Sequence, residues 1–366
     1  MERSDEGMGL RRVLAAVVVG ALVSACQSSG GRPSVSPSPS TRSVRPGTEI
    51  AGSSAHPWKA RLSLFFLELG RQRLLAVDVR TGKRRVVPLP HLAIGDYPFQ
   101  LVRVGNRLVF PCREGTCDVD TSLTSIERLG DSWFYVPDAA RRLVWLMTLD
   151  PKSPETVRAL KAVRAVGLDG RVMVRSVRPP HGDWPSMAAG RGLVFQRRRA
   201  MVVWDPRTKK ITRRLPDAIG WVAGWGDLLA WCAPGCGRLY VRDLGTGHTE
   251  TAVPPSGFWT FCGGTDAAIS PDGRWLAVPV ETTKRFHRTH AHQRSAVLLV
   301  DVASGTARLI PDSSFPSHCS QETWDSSGRY LFMWGGAAVA EYRLGTRRAI
   351  RLHVHLPKAA SFMAAS

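Results

Sequence analysis

The stretch AAISPDGRWLAVPV, residues 267–280, holds an apolar run, a Ser-Pro-Asp-Gly corner and a second apolar run. Pro271 presets the backbone for a type I turn, Asp272 follows it, and Gly273 takes the positive-φ place that sends the chain back as a second strand. Five other segments have the same form: FQLVRVGNRLVFPC (99–112), WFYVPDAARRLVWLM (133–147), SMAAGRGLVFQR (186–197), WVAGWGDLLAWC (221–232) and TWDSSGRYLFMWGG (323–336). A corner that recurs six times reads as architecture, so Asp272 is a turn residue and not a catalytic one.

A second phrase alternates with the first. It reads LLAVDVRTGKRRVVPLP (74–90), MVVWDPRTKKITRRLP (201–216), LYVRDLGTGHTETAVP (239–254), VLLVDVASGTARLIP (297–311) and AVAEYRLGTRRAIRLHV (338–354), with looser copies from Cys117 and Val163. Each joins two strands through a corner in which Asp or Thr bonds backbone amides and Gly supplies positive φ. The markers Asp78, Asp120, Asp169, Asp205, Asp243, Asp301 and Tyr342 are spaced by 42, 49, 36, 38, 58 and 41 residues. Repeats of about 40–45 residues holding four short strands each predict an all-β fold, a β-propeller. Seven markers predict seven four-stranded blades, with six or eight as alternatives, because RLSLFFLEL (61–69) can open the first blade or close the ring.

Residues 60–357 resemble the TolB-type and related WD-like propeller repeats, the likeness resting on AISPDGRWLAVPV and VDVASGTARLIP. The resemblance implies the fold and says little of activity, since propellers host unrelated functions. The Gly-His and Trp-Asp pairs of protein-interaction WD repeats are missing, apart from a single Trp204-Asp205.

The N-terminus carries Arg11-Arg12, the apolar run VLAAVVVGALV (13–23) and Ser24-Ala25-Cys26. This pattern is that of a secretory signal, too short to span a membrane. Val23-Ser24-Ala25-Cys26 resembles the bacterial lipobox, which implies acylation of Cys26. Glu2, Asp5 and Glu6 depart from the basic leader, and a start at Met8 would remove all three. Residues 26–57 are rich in Ser, Pro and Gly and predict a tether. The expected organisation is a lipoprotein signal peptide at 1–25, the tether at 26–57, the propeller at 58–357 and a short tail at 358–366.

Six further cysteines, an even number in an exported chain, predict disulfides. Cys112 with Cys117 and Cys232 with Cys236 are close enough to clip turns, which leaves Cys262 with Cys319. The rival is a zinc site, but no C-x-x-C occurs.

The formal charge is +20, and 42 of the 50 basic residues are arginine. Such a surface attracts anionic partners, although the arginine pairs are scattered and form no specific nucleic-acid signature. No G-x-S-x-G elbow, Asp box, Walker loop or dinucleotide fingerprint is present, so no residue is assigned as catalytic and no cofactor or metal is expected. Candidate ligand-binding residues are Trp259 and Trp275, whose rings can stack on sugar or peptide, and His287, His290 and His292 in RFHRTHAHQR (285–294). Three arginines around these histidines oppose a cation there. The expected function is a monomeric, membrane-anchored extracytoplasmic lipoprotein, facing the extracellular or periplasmic side, whose propeller binds a protein or an anionic envelope ligand. The alternative is a propeller enzyme, a sugar or lactone hydrolase or lyase, with a metal in its channel.

Overall fold

The computed structural model describes residues 57–68, 71–89, 101–112, 115–132, 134–150, 160–180, 184–197, 200–216, 218, 220–258, 260–262, 267–281, 294–316, 319–335, 338–354, 356 and 360–366. Within them the chain forms seven antiparallel sheets in a ring, with almost no helix. Each inner strand lies beside the inner strand of the next blade, round to the first. In chain order the inner strands of blades two to five are Val102–Val104, Phe134–Asp138, Pro185–Ala189 and Gly220–Trp225, and that of blade seven is Gln321–Trp324. Blade six has its inner strand in two pieces, Thr260–Phe261 and Ala268–Ile269, both paired with Trp275–Glu281. The two sequence phrases fall on the first-to-second and third-to-fourth strand pairs of the blades, as their turn chemistry predicts.

Blade one answers the question left by RLSLFFLEL. Ser63–Glu68 is its second strand, and the inner strand is Ala360–Ala365 from the far end of the chain, running from Leu64 opposite Ala365 to Glu68 opposite Ala360. The expected tail at 358–366 is therefore corrected: most of it is a strand that closes the ring. Closure gives Ser63–Glu68 a partner on an edge that would otherwise stand open to other chains.

The core follows from the two-residue period of a strand, which sends alternate side chains to opposite faces. In Ser63–Glu68, Leu64 and Phe66 pack toward blade seven, with Phe332 and Val339, whereas Phe65 and Leu67 pack toward blade two, with Leu108 and Phe110. Among the described residues the buried apolar side chains fall into seven clusters, one in each gap between adjacent blades. A lone four-stranded sheet would leave both faces wet, so the blades are stable only as a stacked ring.

Four antiparallel strands per blade also sort the connections. First-to-second and third-to-fourth turns emerge at one end of the ring axis, here called the turn end. Second-to-third and blade-to-blade connections emerge at the opposite end. At the turn end the marker aspartates bind the backbone: Asp78 Oδ1 accepts from Arg80 N (2.8 Å) and Thr81 N (3.1 Å), and Asp243 Oδ1 accepts from Gly245 N (2.7 Å) and Thr246 N (3.1 Å).

Candidate functional site: the axial cavity

The inner strands of all seven blades enclose, at their turn end, a cavity of about 350 Å³. Its walls are largely small or apolar, with Met187, Ala188, Ala223 and Ala268 on the strands and Trp225 nearer the turns. Small residues predominate because seven inner strands converge on one axis. Gly224 shows the limit: a Cβ there would lie 2.5 Å from the Ala188 carbonyl oxygen.

The charged lining residues are Arg103, Asp138, Glu322 and Asp325. Arg103 Nε donates to the Gly105 carbonyl (2.7 Å) and Nη1 to the Ala365 carbonyl (3.1 Å), tying blade two to the closing strand. Burial pulls the Arg103 guanidinium below its ordinary pKa, and the Asp325 carboxylate acts in the opposite sense. Asp138 accepts from Arg141 N (3.2 Å) and pairs with Arg141 Nη1 (3.2 Å). Asp325 accepts from Ser327 N (3.1 Å) and Tyr330 N (2.8 Å). These two carboxylates thus hold two turns at the rim of the cavity in shape. Trp324 Nε1 donates to the Ala268 carbonyl (3.1 Å), stitching blade seven to blade six. The site can receive a small or narrow group, offering it, among the described residues, an apolar wall, the Arg103 guanidinium and the carboxylates of Asp138, Glu322 and Asp325.

The sequence candidates fall elsewhere. Trp275 starts the second strand of blade six and packs, half-buried, in the gap toward blade seven, with the Arg274 guanidinium 5.1 Å from its ring centre. It does not line the cavity. Trp259, His287, His290, His292 and Cys26 lie outside the described residues. Arg103, Glu322 and Asp325 carried no motif; the available signal was their position just before or in the corner of the recurring inner-strand phrase.

The six cysteines past Cys26 all sit at the end opposite the cavity. Cys112 is bonded to Cys117 across one hairpin of blade two (Cα–Cα 5.7 Å), and Cys262 to Cys319 between blades six and seven (6.1 Å). Cys232 and Cys236, the third expected pair, end the second strand of blade five and the short turn that follows it. Both residues are buried and in contact with neighbours, around Gly220, where an added Cβ would stand 3.3 Å from Cys236 Sγ.

A conspicuous polar cluster lies within blade two. Asp118 is fully buried, with Arg107 Nη2 2.8 Å from its Oδ1 and Glu127 3.3 Å from the same guanidinium. Burial pushes the Asp118 carboxyl up to about 7 although Arg107 works against the shift; Glu127 and Asp120 add to it.

No known protein family matches the chain, and no curated protein matches it by sequence. Among solved structures it is similar to a dihydro-heme d1 dehydrogenase, NirN, in complex with DHE, at 15% identity and a TM-score of 0.52, over 88% of this chain and 81% of that one. It is also similar to a functionally unknown protein from Desulfotomaculum acetoxidans, at 11% identity and a TM-score of 0.50, over 83% of this chain and 98% of that one. At such identities the likeness is one of fold, and the fold is a seven-bladed β-propeller.

Proposed function

We propose that the chain is a lipid-anchored extracytoplasmic propeller of TolB-like type that binds a protein segment or an envelope polymer at its axial cavity. The observation that carries the binding role is the cavity itself: about 350 Å³, walled by seven strands, and rimmed by turns locked through Asp138 and Asp325. Such a site is preformed, so little ordering entropy opposes a ligand. The anchoring role is supported by the lipobox-like Val23-Ser24-Ala25-Cys26 and by the Ser/Pro/Gly-rich residues that follow.

Two experiments test the two halves separately. Cys26→Ala is expected to release the protein from the membrane fraction into the soluble fraction; retention there would sink the anchor. Ser186→Trp adds bulk to the cavity from a half-buried lining position. Capture of partners by cross-linking in intact cells is expected to fall at least about tenfold in this variant, a loss of about 1.4 kcal/mol of affinity, with its melting temperature little changed. Equal capture would remove the cavity from the proposal.

A further inference from the structure

Far from the cavity, at the opposite end of the ring, three metal-ligating atoms come together among the described residues: Cys262 Sγ, a Glu281 carboxylate oxygen and Cys319 Sγ, all within 4.8 Å of one another. Two of them are placed by the blade-six sheet. Cys262 follows the strand piece Thr260–Phe261, and its N–H donates to the Pro279 carbonyl (2.8 Å). Glu281 ends Trp275–Glu281 and lies opposite Thr260. The third, Cys319, comes from the connection into blade seven, and its sulfur stands 3.3 Å from Glu281 Oε1.

A carboxylate is a poor neighbour for a disulfide. Disulfide sulfur has no proton to donate, so Glu281 draws no hydrogen bond from the oxidised pair. The dithiol changes this. A thiol at Cys319 can donate to Glu281, and two thiolates with one carboxylate form a compact triad of negative ligands. Two soft sulfurs select a thiophilic ion such as Zn²⁺ over Mg²⁺ or Ca²⁺. Three protein ligands leave one tetrahedral position open to water or an incoming ligand.

We propose that Cys262, Cys319 and Glu281 form, in the dithiol state, a binding site for a thiophilic divalent cation, and that metal and disulfide are alternative staples between blades six and seven. A dithiol reductant breaks the sulfur–sulfur bond: two electrons and two protons pass to Cys262 and Cys319, and the reductant leaves as its own disulfide. Metal entry then displaces the two thiol protons to solvent. Oxidation by a disulfide reverses the first step and ejects the ion. The site is independent of whatever occupies the cavity.

The test uses the full chain, reduced with dithiothreitol, freed of reductant without air, and titrated with Co²⁺ and then Zn²⁺. Reduced protein is expected to bind one Co²⁺ with a thiolate-to-metal charge-transfer band that one equivalent of Zn²⁺ removes. Fully oxidised protein is expected to show no band. Glu281→Gln should keep the band and weaken binding by about tenfold or more, at least the loss seen when an outer-shell partner is removed. The double variant Cys262→Ser, Cys319→Ser should lose the band, and Cys232→Ser, Cys236→Ser should keep it. No band in reduced wild type, or a band that survives loss of Cys262 and Cys319, would overturn the site. If that variant does not fold, alkylation of reduced wild type decides the matter. Zn²⁺ should protect Cys262 and Cys319 by mass spectrometry, and equal labelling with and without Zn²⁺ refutes the proposal.

Discussion

At the scale of single residues, the corner at 270–273 shows how little side-chain chemistry a repeating fold needs. Gly273 N donates to the Ser270 carbonyl (2.8 Å), Trp275 N to Ser270 Oγ (2.9 Å), and Gly273 has φ +73°. Ser270 and Asp272 are therefore spent on backbone amides, and the corner is architecture. Asp118 is the opposite case, a charge that burial disfavours. Its folded carboxyl keeps its proton up to about pH 7, whereas an unfolded aspartate releases it near 3.9. Folding thus takes up a proton between these values, so stability falls as pH rises through that window and levels off above about 7. Relative to Asp118→Asn, wild type should lose at least about 2–4 °C of melting temperature between pH 5 and 8, equivalent to about 1 kcal/mol in a domain of this size. Parallel melting curves across that range would refute the assignment.

At the scale of elements, the closing strand Ala360–Ala365 carries the weakest local signal in its sequence. ASFMAA has small residues, no corner beside it and a partner roughly three hundred residues away, so neither periodicity nor turn chemistry marks it. Its other edge faces the ring axis, where its backbone groups need partners. Gln321 supplies two, donating from Nε2 to the Met363 carbonyl (3.2 Å) and accepting from Met363 N at Oε1 (3.2 Å). Gln321→Ala is expected to destabilise by about 1–3 kcal/mol, two hydrogen bonds at about 0.5–1.5 each. Hydrogen exchange at Met363 should rise before that of the other blades. Unchanged protection at that amide would show that the strand is held without Gln321.

At the scale of the whole molecule, stability depends on the ring being complete. Each gap cluster is shared by two blades, so an opened ring exposes the clusters on both sides of blade one as well as the edge of Ser63–Glu68. Deleting residues 360–366 should abolish the single cooperative melting transition and yield aggregating protein; a truncated chain that melted like wild type would contradict closure as the organising constraint. By itself the sequence determined the hairpins and their grouping into a propeller of about seven blades, with six or eight left open, because turn residues and two-residue alternation act over a few positions. It also pointed to Cys112 with Cys117 and to Cys262 with Cys319, but not to the carboxylate beside the second pair. Only the tertiary structure decided that the last residues close the first blade, that Arg103 and Asp325 line one cavity at the axis, and that Glu281 stands beside Cys262 and Cys319. Those contacts join segments far apart in the chain, and they exist only when seven sheets pack around one axis.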